Sequence, residues 1–510
     1  MIKNLVTKIL ILSIILIEVN STPIITSSDD DTIYVDDDNK DGPWDGTKEH
    51  PYCHIQQAID NATDRDTIFV YSGRYKENIV IDKSITLVGE DKNTTIIDGG
   101  GRNSVIYIST NEVSISSFTL RNSGLNQGNA GIRIQGSWSC NIENNIICNN
   151  NHYGIWLENS SDSKIIDNII SYNRVTGINI WYSNNCSIIG NNISDNSLAG
   201  LSIYESNSNN VINNVIRYNE IGIWLDSSNN CRIINNAMMN NDIYINGDSL
   251  DNWNTHTIEL NMVNGKPIYY WKNMIHGELS EDAGEIILAN CTYVTIGNQH
   301  LRDTTVGIEI GFSSKCRTVN SIITDNVFGI SIWYSDNCSI KDNTILTNNI
   351  DGIFLYYSSS CILEDNDISC NTIGIELTYS NSNNIAANRI RNNDANGISI
   401  SSSSNNFIIK CAIYGNNIGI SIFNSSGTQI HYCNIYGNNI LGICNLNKER
   451  KYRVDARWCW WGSILGPTHL ISQSKMRDRV SYNVLSTPWL ILPSITIKLG
   501  VTKESTMVSL

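Results

Sequence analysis

The sequence is poor in several residue types, and each shortage argues against a class of protein. Its 510 residues include 7 Pro, 7 Phe, 7 Met and 8 His, and no two Cys form a C-x-x-C pair. Zinc and iron–sulfur sites therefore have no supporting motif. Basic residues are also few, because 35 Lys and Arg stand against 50 Asp and Glu, which leaves a net charge of −15. Such a chain has no basic stripe to neutralise phosphates, and we expect no nucleic-acid partner.

Long apolar runs are confined to the N-terminus. Lys3 and Lys8 precede the run 9–17, which Ser13 interrupts. This run is too short to span a bilayer, and the pattern predicts a secretory signal over residues 1–28. We therefore expect no transmembrane segment and a secreted or cell-surface location.

The chain has an abundant repeat that opens with Gly-Ile and returns every 22 or 23 residues. Each copy holds short segments with apolar residues two apart, separated by Asn, Ser and Asp turns, which is typical of β-strands. No window keeps helical spacing through a whole repeat. Repeats of this size must stack to bury their apolar faces, which predicts an all-β solenoid. The copies begin at Gly131, Gly154, Gly177, Gly200, Gly222, Gly307, Gly329, Gly352, Gly374, Gly397, Gly419 and Gly442.

Two columns of asparagine recur with the same period. One runs through Asn145, Asn168 and Asn191, and the other through Asn150 and Asn173. Stacked amides donate to one neighbour and accept from the other, at about 1 kcal/mol for each bond. Asn also tolerates the left-handed backbone of a sharp corner. The fixed register predicts two hydrogen-bonded ladders.

Fourteen Cys in an exported chain suggest disulfides. However, Cys140, Cys186 and Cys231 share one column of the repeat, and Cys316 and Cys338 continue it. Repeat-equivalent cysteines are typical of small buried fillers, so we expect free thiols, although thiols on neighbouring coils would be close enough to bridge.

The presence or absence of the regular repeat divides the chain into segments. Residues 29–105 hold an acid-rich segment, the first coils and a helix predicted from the spacing of Ile55, Ala58 and Ile59, which would cover the open N-terminal edge. Repeats occupy 106–241 and 307–447. Between them, 242–306 is interpreted as irregular coils with a protruding hairpin at Asn264-Gly265, and 448–510 as a C-terminal cap.

Stretches outside the regular repeats carry a resemblance to a known family. They are YVDDDNKDGPWDGT with IQQAID, DNWNTHTIELNMVNGKPIYYWKN, AGEIILANCTYVTIGNQHL, and WWGSILGP with PWL. Nearly the whole mature chain resembles archaeal cell-surface proteins with NosD-like repeats, which implies a right-handed parallel β-helix of the pectin-lyase-like type. That family spans carbohydrate binding, sugar hydrolysis, polysaccharide lyases and epimerases, and copper assembly of nitrous oxide reductase. The scattered Met and His of this chain depart from copper handling, and fold does not imply function.

Aromatic residues occupy outward positions of the Gly-Ile strands. Sugar rings lie flat on such side chains, so we interpret this face as a platform for an extended polysaccharide. The alternative is that the rings stack on one another to cover the sheet. The candidate binding residues are Trp156, Trp181, Tyr204, Trp224, Trp333, Phe354 and Tyr356.

Acidic residues suggest two further sites. Glu205 and Asp226 lie on successive coils, about 5 Å apart along the axis, and would be the catalytic pair if the protein is an enzyme. Asp37, Asn39 and Asp41 alternate as in the first half of a calcium loop, although Lys48 stands where the loop needs Glu. Calcium is therefore the one cofactor that the sequence suggests. The alternative is that these residues form a simple acidic turn.

These patterns predict an exported, monomeric surface β-helix protein that binds a polysaccharide through its aromatic face. The first alternative is a polysaccharide lyase, glycoside hydrolase or epimerase that acts from the same face. The second is a structural or adhesive surface protein or a NosD-like copper accessory protein. The identity of the glycan and the presence of catalysis stay open.

Overall fold

A computed structural model of the chain describes residues 32–469 and 478–494. The predicted signal at residues 1–28 lies outside the described residues. Almost every element is a short β-strand, and strands of successive repeats pair in parallel with their side chains in register. Trp181, for example, pairs directly with Tyr204 one coil later. The predicted parallel β-helix is confirmed as a solenoid of about 17 turns.

The first half of the chain, which we call the N-solenoid, has three parallel sheets. Sheet I contains Ile79–Ile81, Ile106–Ile108, Ala130–Gln135, Tyr153–Glu158, Thr176–Trp181, Ala199–Tyr204, Ile221–Asp226 and Ile243–Asn246. Sheet II contains Thr32–Val35, Thr67–Val70, Thr86–Gly89, Ser114–Ser116, Asn141–Glu143, Lys164–Ile166, Ser187–Ile189, Asn210–Ile212, Arg232–Ile234 and Thr257–Glu259. Sheet III contains Gly73–Tyr75, Thr95–Asp98, Thr119–Arg121, Ile146–Cys148, Ile169–Ser171, Asn192–Ser194, Val215–Arg217, Ala237–Met239 and Met262–Val263.

The second half, the C-solenoid, repeats this plan. Sheet IV contains Lys266–Lys272, Glu285–Ala289, Val306–Gly311, Phe328–Trp333, Asp351–Tyr356, Ile373–Thr378, Asn396–Ser401, Ile418–Phe423, Leu441–Asn445, Thr468–His469 and Arg479–Val480. Sheet V contains Ile275–Leu279, Thr292–Gly297, Arg317–Val319, Ser339–Lys341, Ile362–Glu364, Asn384–Ala386, Phe407–Ile409, Gln429–His431, Val454–Asp455 and Val484–Leu485. Sheet VI contains His300–Arg302, Ile322–Thr324, Thr344–Leu346, Asp367–Ser369, Arg389–Arg391, Ala412–Tyr414 and Asn434–Tyr436.

Three helical segments complete the described chain: α1 at Ile55–Asn61, α2 at Asp251–Asn254 and a 3-10 turn at Arg450–Tyr452. The predicted capping helix is α1, whose Ile55, Ala58 and Ile59 are buried. The carboxylate of Glu77 accepts hydrogen bonds from the backbone N–H groups of Ile55 and Gln56 at 3.1 and 3.0 Å. This acid satisfies the first free N–H groups of the helix and fixes it on the N-solenoid.

The asparagine ladders form as predicted. The amide nitrogen of Asn168 donates to Oδ1 of Asn191 at 3.1 Å, and its Oδ1 accepts from Asn145 at 3.1 Å. The same nitrogen also donates to the backbone oxygen of Ile142 at 2.9 Å. The left-handed backbone expected at the ladder residues falls instead on the residue before them, as at Asp167 with φ 52°. The chain therefore turns one residue early, which leaves the asparagine free to point into the coil.

All fourteen cysteines lie in the described residues and are unbridged there, and free thiols in the exported protein stay a prediction. Cys140, Cys186 and Cys231 are fully buried in the core. Burial raises the pKa of the Cys186 thiol to about 12. These side chains stay neutral and fill space between the isoleucine columns.

The region predicted as a protruding hairpin is a junction between the two solenoids. Asn264 and Gly265 form a turn with φ 50° and 79°, and the two strands that it joins are antiparallel. The second strand does not protrude, because it is the first strand of sheet IV and pairs along its length with Glu285–Ala289. Its Ile268 and Tyr270 pack against the core of the N-solenoid. We call this junction the elbow.

Buried acids satisfy the last strand of sheet I at the elbow. The N–H groups of Ile243 and Ile245 have no further coil to bond, and they donate to Glu285 and Glu309 on the outer face of sheet IV at 3.2 and 3.3 Å. Asp242 in turn accepts from the N–H of Val306 at 3.0 Å. All three acids are fully buried. Burial raises the pKa of Asp242 to about 7 and the pKa values of both glutamates well above their usual range.

The ladder can be tested by replacing Asn168, which is buried, with Ala. Its loss leaves amide and carbonyl groups of three coils without partners, and we expect a destabilisation of about 1–3 kcal/mol. Thermal unfolding followed by circular dichroism would measure it. Asn126→Ala is the control, since Asn126 is exposed. Equal melting temperatures for the two variants would contradict a stabilising ladder.

The elbow acids should make stability depend on pH. Their pKa values are raised in the fold, so their contribution is complete below the ordinary carboxyl pKa of about 4 and is lost as pH rises through the folded values, near 7 for Asp242. We expect the melting temperature to fall by several degrees from mildly acidic to alkaline pH.

Glu309→Gln keeps an oxygen for the N–H of Ile245 but cannot ionise. Its melting temperature should therefore fall less than that of the native protein as pH rises. Glu259→Gln changes an exposed acid of sheet II and serves as the control. A Glu309→Gln curve that runs parallel to the native one would refute the assignment.

Candidate functional site

A cleft of about 410 Å³ opens beside the elbow. One wall, which we call the acidic wall, is the end of the N-solenoid. The other, the aromatic wall, is the outer face of sheet IV. The acidic wall consists of Asp226, Ser227, Asn246, Gly247 and Asp248, and the aromatic wall of Trp333, Phe354, Tyr356, Glu376 and Thr378.

The acidic wall is built from the last two strands of sheet I. Asp226 ends the strand Ile221–Asp226 and pairs in register with Asn246. The hydroxyl of Ser227 donates to Oδ1 of Asp226 at 2.9 Å. Burial raises the pKa of Asp226, and the charges of Asp248 and Glu205 raise it further. This wall therefore carries two acids close enough to repel each other.

The aromatic wall follows from outward positions on three successive strands of sheet IV. The rings of Trp333 and Tyr356 pair in register with centroids 4.6 Å apart, and Phe354 lies 5.6 Å from Trp333. Glu376 occupies the position of Phe354 one coil later and accepts a hydrogen bond from the hydroxyl of Thr378 at 3.1 Å. Burial raises the pKa of Glu376. A carboxyl group thus ends a row of rings.

Trp253 of α2 holds the two walls together. A Cβ at Gly311 would lie 2.1 Å from the Trp253 ring, so only glycine lets the indole lie on sheet IV at this point. The indole N–H of Trp253 donates to the backbone oxygen of Gly247 at 3.1 Å, and its ring lies 6.4 Å from that of Trp333. The acidic wall is therefore tied to the aromatic wall through one fully buried side chain.

One residue of the aromatic wall has a buried hydrogen-bond donor with no partner among the described residues. Trp333 is 8% exposed, and its indole nitrogen makes no hydrogen bond. A buried N–H without an acceptor destabilises a fold unless something supplies one. The indole nitrogens of Trp156 and Trp224 on sheet I are buried without a partner in the same way. The feature therefore belongs to covered rings and is not specific to the cleft.

A column of tyrosines borders the cleft. Tyr334, Tyr357 and Tyr379 stack on successive coils, with centroids 5.1 and 4.7 Å apart and rings within 6° and 13° of parallel. The hydroxyl of Tyr334 donates to Asp248 of the acidic wall at 2.7 Å. Tyr357 also meets Tyr356 edge-on at 4.7 Å. This tyrosine column extends the aromatic surface along the C-solenoid.

The predicted aromatic face is divided between two sheets. Trp181 and Tyr204, 5.6 Å apart, lie with Trp156 and Trp224 on sheet I, whereas the other three candidates belong to sheet IV. The expectation of exposed rings is wrong for Trp156 and Trp333, which are 7% and 8% exposed. The Arg133 guanidinium lies 4.4 Å from the Trp156 ring centroid and covers it, while Trp333 is covered at the elbow.

The two acids of the predicted catalytic pair, Glu205 and Asp226, differ in their position relative to the cleft. Asp226 lies in the cleft, whereas Glu205 lies outside its lining. The neighbouring carboxylate of Glu205 raises the pKa of Tyr204 to about 12. The partner of Asp226 on the same wall is Asp248, which the sequence analysis did not identify.

The three predicted calcium residues have different environments in the structure. Asp37 accepts from the backbone N–H of Arg74 at 3.1 Å, Asn39 donates to the oxygen of Pro51 at 2.7 Å, and Asp41 is exposed. Within residues 32–469 and 478–494, no three His, Cys, Asp or Glu are grouped to hold a metal ion. Calcium binding by Asp37, Asn39 and Asp41 stays a prediction.

The strands, sheets and stacked coils define a protein of the parallel β-helix class. The chain belongs to the family described as periplasmic copper-binding protein (NosD), whose model matches residues 59–274 and 270–458.

One relative is a cell surface glycoprotein of Methanothermus fervidus, 36% identical over 101 residues. The match covers 19% of this chain and only 16% of that glycoprotein.

Solved structures with a similar architecture include two carbohydrate-active enzymes. The A-module of the mannuronan C-5 epimerase AlgE6 from Azotobacter vinelandii has 10% identity and a TM-score of 0.24, with 85% of this chain and 94% of that one covered. A pectin methylesterase from carrot has 16% identity and a TM-score of 0.28, with 46% and 83% covered. Scores this low carry no information about the activity of this chain.

The family description implies copper, and the described residues do not fit it. Protein copper is held by His, Cys and Met side chains, and a bound cysteine must be a thiolate. The column cysteines Cys140 and Cys231 are fully buried in the hydrophobic core, where a charged site would be desolvated. No grouping of His, Cys and acids in the described residues replaces them.

No helix in residues 32–469 and 478–494 is both long and apolar enough to cross a bilayer.

Proposed function

We propose that this protein binds a polysaccharide in the elbow cleft and along the tyrosine column. The observation that carries the proposal is a single cleft with rings on one wall and carboxyl groups on both. Sugar rings present apolar C–H faces that stack on aromatic side chains and hydroxyl groups that need hydrogen-bond partners. The cleft supplies both kinds of contact within one opening.

The polar atoms of the cleft support binding of a sugar. Asp226, Asp248 and Glu376 offer acceptors for sugar hydroxyl groups. The rings of the tyrosine column cover one another's faces, but the exposed edges and hydroxyl groups of Tyr357 and Tyr379 would contact further sugar units outside the cleft.

A cell-surface or other extracellular location accompanies this function. It is supported by the predicted export signal, the surface glycoprotein relative and the periplasmic description of the family. An extracellular β-helix meets cell-wall and capsule polysaccharides directly.

Binding should depend on the aromatic wall. We expect Phe354→Ala and Tyr356→Ala each to weaken binding of the recognised polysaccharide about tenfold or more, since each removes a stacking ring. A glycan array followed by calorimetry would measure it. Phe423→Ala is the matched control, because Phe423 is an exposed ring on the same sheet, beyond the cleft lining. Unchanged binding in both wall variants would exclude this cleft as the site.

A second candidate is cleavage of the bound glycan. It is favoured by the raised pKa values of Asp226 and Glu376, which lie on opposite walls. Glycosidic bond cleavage by acid–base catalysis uses one protonated and one ionised carboxyl group on the two sides of the bond.

The two candidates differ in their products. If cleavage occurs, new reducing ends should form and should disappear in Asp226→Asn, while binding persists. A protein that binds its polysaccharide without releasing reducing ends or unsaturated products is a binding protein only.

A further inference from the structure

The acids of the cleft lack the cations that accompany acids elsewhere on the same surface. Asp226, Asp248 and Glu376 form no ion pair with any described residue, and the cleft lining contains no Lys, Arg or His. In contrast, Glu158 occupies the same column of sheet I as Asp226 and is paired with Arg133 at 2.9 Å. The cleft therefore has unbalanced negative charge.

The N-solenoid contains an arrangement that has the missing cation. The Arg133 guanidinium lies 4.4 Å from the centroid of the Trp156 ring and also bonds the carboxylate of Glu158. A cation between an indole and a carboxylate is stabilised by the ring quadrupole and by the opposite charge together. On sheet I, the protein's own Arg133 therefore supplies the cation between the ring of Trp156 and the carboxylate of Glu158.

The cleft also combines aromatic rings with carboxylates, but none of its lining residues is a cation. Trp333, Phe354 and Tyr356 form the aromatic wall, with Glu376 at its end. Asp226 and Asp248 face it from the acidic wall. Mutual repulsion of the acids would be relieved by a positive group placed between the walls.

We propose that the elbow cleft binds a positively charged amino sugar, so that the recognised polysaccharide carries free, protonated amines. The inference rests on the proposed function and names its substrate class. A ring with an ammonium group can stack on the aromatic wall while its nitrogen bonds Asp226, Asp248 or Glu376. The net charge of −15 would also draw such a polymer to the protein from a distance.

The test compares two oligosaccharides that differ only at nitrogen. The probes are the hexamer of β-1,4-linked glucosamine and its fully N-acetylated counterpart, titrated by calorimetry at about pH 6, where the free amines are protonated. We expect the amine form to bind about tenfold more tightly or better. Asp248→Asn and Glu376→Gln should each remove most of this preference, whereas Phe354→Ala should weaken binding of whichever hexamer binds. Glu259→Gln changes an exposed acid that is not part of the cleft lining and should change nothing.

Equal or tighter binding of the acetylated hexamer would overturn the charge inference and leave the proposed function standing. Failure of the native protein to bind either hexamer would also overturn it, and the proposed function would still be decided by the glycan array. Hexalysine is the control for plain attraction to a negative protein. If it binds as tightly as the amine hexamer, or if the two acid variants keep the preference, the inference is wrong.

Discussion

In-register stacking of coils is the constraint on which the rest of the structure depends. Each strand bonds the strand one coil before and one coil after it, so equivalent residues lie about one strand spacing, ~4.8 Å, apart. The asparagine ladders enforce this register, because an amide that slips by one residue loses its partners above and below. Rings, acids and thiols at equivalent positions therefore become columns, and the cleft lies where two of these columns are interrupted.

A solenoid has to end, and the elbow is how the N-solenoid ends. Its last strand leaves the N–H groups of Ile243 and Ile245 without a following coil, which is the edge problem of any sheet. Glu285 and Glu309 satisfy them from the outer face of sheet IV and must be buried to do so. The end of one solenoid is therefore sealed by the side of the other, and the cleft is the space that remains beside this contact. The contact that ends the N-solenoid therefore also forms the candidate site.

The periodic part of the molecule could be predicted from sequence, and the elbow could not. Strands, ladders, buried cysteines and α1 all follow from local spacing, because their partners are close in sequence or one period away. Asp248 and Trp333 meet across the cleft from different solenoids, and no periodicity relates them. Gly311 was the local signal, since it stands where the next coils have Trp333 and Tyr356, and this gap in the column receives Trp253. The burial of Trp156 could not be predicted either, because the repeat pattern does not indicate that the Arg133 side chain covers its ring.

Outward positions of this fold are equivalent in geometry but not in role. On sheet I, Trp156 and Glu158 take their cation from Arg133 one coil earlier, and the surface there is closed. At the cleft, the chain supplies rings and acids but no cation, and the acids repel one another instead. An unfavourable arrangement of this kind persists only where the surrounding fold holds it, and the seal of Glu285, Glu309 and Trp253 does so here. The same column therefore stabilises the protein where its partners are internal and recognises a ligand where one of them is missing.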